Sequence, residues 1–265
     1  MKNIRWIVQD NLISENDRGQ IKSACGALGV DYEAIIVIPF SDSLPDFTVD
    51  SKVNIYYGST TLINNIYKQF NKPVGVFYNE ETFSMENYLS QWGDKMLNSD
   101  ARVITFDELV LESHEDDSLW FIRPDKDDKS FDGQMMTFAK IKEWSKNFMV
   151  YDNVTLTGQT KVLVGPTYNI KKEWRNYIVD GKVVESTLYR ENFMLKKSNK
   201  DIPAVMIQFV EECCAQYMPC NSFAMDIAFC GDTYYIIECG CINSVGFYAA
   251  DIQKIIKALT ESVNV

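Results

Sequence analysis

LWFIRPDKDDKSFDG, residues 119–133, reads as two pieces. An apolar strand over 119–122 ends in the cation Arg123, and a loop opened by Pro124 then carries Lys129 ahead of Gly133. Proline has no N–H for a ladder and holds the preceding residue in extended backbone, so the strand stops at Arg123. A cation at a strand end and a second on a glycine loop can grip a polyanion through charge-assisted hydrogen bonds. Taken alone, the same residues also describe a solvated loop with surface charges.

Working outward, residues 1–80 alternate short apolar strands (4–8, 34–39, 53–57, 74–78) with helical patterns at 17–28 and from Ser59. Such alternation predicts a parallel, open α/β unit. A helix at 81–97, strands at 101–105 and 119–122 and a helix at 136–148 predict a small α+β lobe. From Lys161 the pattern changes to antiparallel hairpins, with helices at 203–217 and 249–263. The expected divisions are 1–80, 81–160 and 161–265.

Two hairpins can be read by register. Asp180-Gly181 is a strong two-residue turn signal, because a type I′ turn needs positive φ at both central positions. Counting back from Val179 opposite Lys182 puts Arg175 opposite Ser186 and Lys171 opposite Arg190. Lys171, Glu173, Arg175, Ser186 and Arg190 then share one face; Trp174, Ile178, Val183 and Tyr189 share the other. So many cations beside one carboxylate suit either a bound anion or a solvated face. The second hairpin, over 222–240, holds Asp226 and Glu238 in otherwise apolar strands. Buried acids need a partner, and Mg²⁺ suits two hard carboxylate oxygens. A plain Gly231-Asp232 loop would set Asp226 opposite Ile237; a longer loop or a bulge sets it opposite Glu238, the arrangement expected here.

Composition narrows the function classes. With 265 residues, 46% hydrophobic and 13% aromatic, the chain can bury a core and build two or three lobes. No apolar run approaches the roughly 20 residues of a membrane span, and the opening residues lack the apolar segment of a signal peptide, so a cytoplasmic protein is expected. The seven cysteines do not follow zinc spacing and only one histidine is present, so reduced core thiols are expected. A net charge of −11 speaks against bulk nucleic acid and anionic membranes as partners. Acids crowd 107–132, whereas Lys171, Lys172, Arg175, Arg190, Lys196, Lys197 and Lys200 form a basic region where an anionic ligand would go. Neither a Gly-x-Gly-x-x-Gly nor a Walker-type loop occurs, and His114, in a polar stretch, offers no catalytic pair.

Taken in order, strand-Arg123-Pro124 with its glycine loop, Lys161-Val-Leu-Val-Gly165, Glu173-Trp-Arg175, Asp226, then Glu238 followed by Asn243, resemble the ATP-grasp superfamily. The closest likeness is to a phage and bacterial clade with Arg-Pro in place of Lys-Pro, a Glu-x-Arg hairpin and a Ser-x-Gly-Phe-Tyr tail, here Ser244 to Tyr248. The resemblance spans roughly residues 81 to 251. It implies an ATP-grasp fold, α/β and α+β, in which two α+β lobes clamp ATP behind a small Rossmann-like pre-ATP-grasp domain. It also implies a carboxylate–amine ligase using ATP and Mg²⁺. Arg123 and Lys129 would hold phosphates and the loop to Gly133 would fold over them. The strand of Lys161, Leu163 and Val164 would be the hinge that reads adenine. Arg175, with Arg190 and Glu173 beside it, would face the γ-phosphate or acyl-phosphate, and Asp226, Glu238 and Asn243 would bind the metal. Most relatives carry Asn where this chain has Gly240, so Asn243 would have to replace it. The implied partners are a small molecule or peptide bearing a carboxylate, of anionic character, and an amine acceptor; many relatives are dimers. A kinase on the same fold and an inactive ATP-binding interaction protein are the alternative readings.

Overall fold

The computed structural model describes residues 3–38, 43–126, 130–150 and 156–263, and among them the chain forms three sheets. The first is parallel, in the order β2-β1-β3, from β1 (Ile4–Gln9), β2 (Asp31–Ile35) and β3 (Val53–Tyr57). β1 is buried on both faces because both are covered. Trp6 and Val8 pack with Ile21, Ala24 and Cys25 of α1 (Glu15–Leu28), while Ile7 packs with Leu62, Ile63 and Ile66 of α2 (Thr60–Gln69). Ser14 and Ser59 cap these helices, each hydroxyl accepting a first-turn N–H. Residues 74–78, expected as a strand, are not one. They run beside β3 with one bond, Tyr56 N–H to the Gly75 carbonyl at 3.3 Å. The approach is so close that a Cβ on Gly75 would lie 1.8 Å from the Asn54 carbonyl oxygen.

The chain continues through α3 (Met85–Trp92), shorter than the helix expected over 81–97 because Gly93 ends it at φ 55°. The second sheet is antiparallel, in the order β4-β7-β5-β6: β4 (Arg102–Thr105), β5 (Leu119–Pro124), β6 (Gln134–Thr137) and β7 (Lys161–Gly165). One face packs on α4 (Phe106–Leu111) and α5 (Phe138–Val150) through Phe106, Leu109, Ile122, Phe138, Ile141, Val162 and Val164. Met136 belongs to β6, so α5 begins after it. His114, although it lies in a polar stretch, is half-buried against Trp120 and Phe138.

The third sheet is antiparallel, in the order β10-β9-β8-β11-β12: β8 (Ile170–Val179), β9 (Lys182–Glu191), β10 (Met194–Ser198), β11 (Ser222–Cys230) and β12 (Thr233–Gly240). Both its faces carry core packing. On one, Trp174, Ile178 and Met225 pack with Phe83, Met85, Tyr88 and Trp92 around α3, and with Met206 and Val210 of α6 (Ala204–Gln216). On the other, Tyr177, Val179 and Ala224 join the core of the parallel sheet and α7 (Ile252–Ser262). Helix α7 presents Ile252, Ile255, Ile256 and Leu259 at helical spacing. Each such side chain contributes about 1.5–3 kcal/mol by leaving water.

Two expected divisions shift. β7 belongs to the four-stranded sheet, so the change of lobe falls in the loop 166–169 rather than at 160. Residues 83–96 pack under the five-stranded sheet, not in the small lobe.

Candidate active site between the lobes

Hairpin β8–β9 begins as its turn predicts. Asp180 and Gly181 have φ 49° and 77°, Val179 faces Lys182, and Ile178 faces Val183. Two extra residues on β9, Val184 and Tyr189, then shift the pairing, so that Arg175 faces Thr187 and Glu173 faces Arg190. Three side chains are thereby corrected. Ser186 moves beside Asn176, away from Arg175; Lys171 does not face Arg190; Tyr189 comes round to the charged face. There its hydroxyl donates to the Glu173 carboxylate at 2.7 Å, and Arg190 donates to the same group at 3.1 Å. Glu173 is only 4% exposed, so both contacts are needed to satisfy it.

Hairpin β11–β12 closes with a two-residue turn, Cys230 opposite Thr233, but Ile237 is left unpaired. That bulge sets Asp226 opposite Glu238, the arrangement the two acids called for. Across the other edge of β11, Asp226 faces Arg175 of β8. The guanidinium donates through Nε to Oδ1 at 2.9 Å and through Nη2 to Oδ2 at 2.8 Å. Burial works against the Arg175 charge, but the Asp226 carboxylate outweighs it and holds the group well above its usual value. The same guanidinium lies 5.1 Å from the Tyr248 ring, which stacks on Tyr189 with centroids 5.0 Å apart. Tyr248 sits at φ 54°, a conformation costing a side chain about 1–2 kcal/mol. The tail preceding it is tied down by the Tyr177 hydroxyl, which donates to the Gly246 carbonyl at 2.7 Å.

From the small lobe, Arg123 at the end of β5 reaches Glu238 at 2.5 Å. Two residues on, Asp125 docks that strand on α3. Its carbonyl accepts the Met85 N–H at 2.8 Å and its carboxylate accepts the Glu86 N–H at 2.9 Å. The lobes thus enclose a cleft of about 550 Å³ lined by Arg123, Gly133, Glu173, Arg175, Arg190, Asp226 and Glu238.

The other expected site residues stand elsewhere. Lys129 lies outside the described residues. Leu163 and Val164 do not line the cleft: β7 is a central strand, its backbone paired with β4 on one side and β5 on the other, so none is left to read a base. Lys161 is exposed and pairs with Glu86. Pro166, Thr167 and Tyr168, just beyond β7, line the cleft instead. Asn243 is buried, 2% exposed, and its amide is fully used: Oδ1 accepts the Phe77 N–H at 2.7 Å, and Nδ2 donates to the carbonyls of Tyr56 at 2.6 Å and Gly75 at 3.0 Å. It fastens the parallel sheet to the tail and cannot also be a metal ligand without leaving those groups unpaired.

The remaining acids fit magnesium. The described residues gather no group of three or more His, Cys, Asp or Glu around one point. Two opposed carboxylates suffice, because Mg²⁺ commonly takes one or two with phosphate and water completing its shell.

Residues 100–258, more than half of the chain, match the family described as ATP-grasp domain, R2K clade family 2. The chain belongs to that family. Its fold is shared with D-cycloserine synthetase DcsG (TM-score 0.68, 13% identity, covering 98% of this chain and 100% of that one). The RimK domain protein ATP-grasp from Sphaerobacter thermophilus DSM 20745 gives a TM-score of 0.66 at 11% identity, covering 96% and 98%. ATP-grasp ligase PsnB, complexed with a phosphomimetic variant of minimal precursor, Mg and ADP, gives 0.58 at 9% identity, covering 100% and 99%. No curated protein matches the sequence. Among the described residues no helix is long and apolar enough to cross a membrane.

Proposed function

We propose that this protein is a cytoplasmic carboxylate–amine ligase driven by Mg-ATP. The observation that carries the reading is the pair of carboxylates set opposite each other by the Ile237 bulge, each holding an arginine, one per lobe. Family membership and the ligase neighbours support it. Asp226 and Glu238 would hold Mg²⁺, whose charge, when bound, offsets that of the phosphates. Arg123 and Arg175, released from the two carboxylates, would turn to phosphoryl oxygens, and Lys129, outside the described residues, is the further cation this reading assigns to them. Glu173 fixes Arg190 at the rim, and Tyr189 and Tyr248 hold the plane of Arg175.

In this reading the substrate carboxylate takes the γ-phosphoryl group, giving acyl-phosphate and ADP. The amine then attacks the acyl carbon, phosphate leaves and an amide forms. Negative charge accumulates in both steps, so fixed cations in a water-poor cleft suffice and no side-chain nucleophile is needed. Arg190, with Lys197 placed 5.8 Å from the Tyr248 ring, favours an anionic substrate such as an acidic small molecule or peptide.

Incubation with ATP, Mg²⁺ and mixtures of carboxylates and amines tests this. ADP and phosphate are expected only when an amine is present. A phosphorylated product formed without amine would make the protein a kinase, and nucleotide binding without turnover would make it an interaction protein.

A further inference from the structure

Beside the two carboxylates the cleft extends into a region bounded by residues 96–101 and the loop 166–168. Three contacts join these segments to the site. The Leu97 N–H bonds the Ile236 carbonyl at 2.9 Å, the Tyr168 hydroxyl bonds Asp100, and a Cβ on Gly165 would lie 2.5 Å from that of Ala101. Leu97, Ile170 and Ile237 supply apolar lining there. Asn98 lies among them. It is 2% exposed, yet it lines the cleft. Its backbone is held in place, the carbonyl accepting the Ala101 N–H at 2.9 Å, but its side-chain amide bonds no described residue.

Enclosed this far, with no protein partner and facing the cleft, the amide is left to pair with whatever enters it. The apolar walls suit a flat ring, and the arginines nearby suit a polyanion attached to it. The amide presents a donor and an acceptor side by side. Adenine offers the complement, an amino donor next to a ring-nitrogen acceptor. On the edge bearing N7 guanine presents two acceptors, O6 and N7, where adenine presents its N6 amino donor beside N7, so there one arm of the amide faces a like group whichever way it is flipped. The backbone of β7 itself adds nothing, being paired on both edges, and Pro166 beyond it has no N–H.

We propose that Asn98 selects the base, its amide pairing in two-pronged fashion with the N6 amino group and N7 of adenine so that the cleft takes ATP and rejects GTP. This rests on the ATP reading above. Calorimetric titrations of wild type and Asn98→Ala with ATP, GTP, purine riboside triphosphate and inorganic tripolyphosphate, all with Mg²⁺, test it. Wild type is expected to favour ATP over GTP by roughly 10- to 100-fold. Asn98→Ala should lose about that factor for ATP, change little for GTP and bind tripolyphosphate as wild type does. Purine riboside triphosphate, lacking the amino group, should bind wild type about as weakly as GTP, an arm that needs no variant. An unchanged ATP-to-GTP ratio in Asn98→Ala overturns the assignment, as does full-strength binding of purine riboside triphosphate, and both leave the ligase reading standing. Wild type that binds none of the four sinks the ligase reading and this one with it.

Discussion

Arg175 and Asp226 are register partners on adjacent strands of one sheet, whereas Arg123 reaches Glu238 from the opposite lobe. In the first pair the side chains are 14% and 4% exposed and share two hydrogen bonds. In the second they are 12% and 30% exposed. The first pair is therefore internal to one sheet: its geometry is set by β8 and β11 and does not depend on how the lobes sit, so only a metal and phosphate entering the cleft would part it. The second spans the cleft with one partner still in water, so it can break and re-form as the lobes move. The same two residue types, an arginine and an acid, thus hold a sheet together in one place and two lobes in the other.

The largest effect is expected from Arg175→Met. Removing one member of a buried pair strands the other, at a cost of about 3–5 kcal/mol in denaturant unfolding. Replacing both partners, Arg175→Met with Asp226→Leu, should recover most of it, since the packed apolar pair leaves no charge buried. A double variant as unstable as the single one would mean that Asp226 already reaches solvent, and the contrast between the pairs would fail. Arg123→Met should cost less, about 1–2 kcal/mol, because Glu238 can rehydrate. Its main consequence should be weaker ATP binding, measured by titration. Equal stability losses in the two single variants would erase the distinction between scaffold pair and bridge.

Much of the scaffold that carries these pairs is legible locally. Apolar runs mark β3 and β7 to the residue, and Asp180-Gly181 marks the β8–β9 turn through its need for positive φ. The facing of Asp226 and Glu238 is legible too, as the bulged alternative to a plain Gly231-Asp232 loop. Helix α4 is not among the expected helices; the signal that could have found it is the capping box of Thr105 and Glu108, since apolar periodicity over so short a helix says nothing. What is not legible is set by distant contacts. The extra residues Val184 and Tyr189 have no turn or glycine signal; the second bulge brings Tyr189 to Glu173 and Tyr248, partners supplied by other strands and loops. The apolar run of β7 reads as a strand, but not as a central one whose backbone is wholly paired. Asn243 has the chemistry of a metal ligand and equally that of a clamp. Its partners Tyr56 and Gly75, 187 and 168 residues away, decide between them.

The smallest effect, and the one that asks how the bridging arginine is held, comes from Asp125. Two residues after Arg123, it is 6% exposed and caps the N-terminus of α3, the helix packed under the five-stranded sheet. Burial pushes its carboxyl above the usual range. The Glu86 N–H opposes that rise, the Glu86 carboxylate adds to it, and Lys161 and Lys126 oppose it. A folded-state value above the unfolded one means that the native protein binds this proton more tightly. The resulting stability is complete below the ordinary aspartate range and is lost as pH rises through the elevated value. Asp125→Asn keeps the Oδ1 acceptor and removes the charge, so it should gain on wild type as pH is raised from below about 4 toward 7, read from denaturant midpoints. Asp125→Ala, lacking the acceptor, should lose about 1 kcal/mol at either pH. A gap between Asn variant and wild type that stays constant with pH, or closes as pH rises, would place the ionised carboxylate in solvent. The strand bearing Arg123 would then be free of α3, and the bridge to Glu238 would have to be positioned from the cleft side alone.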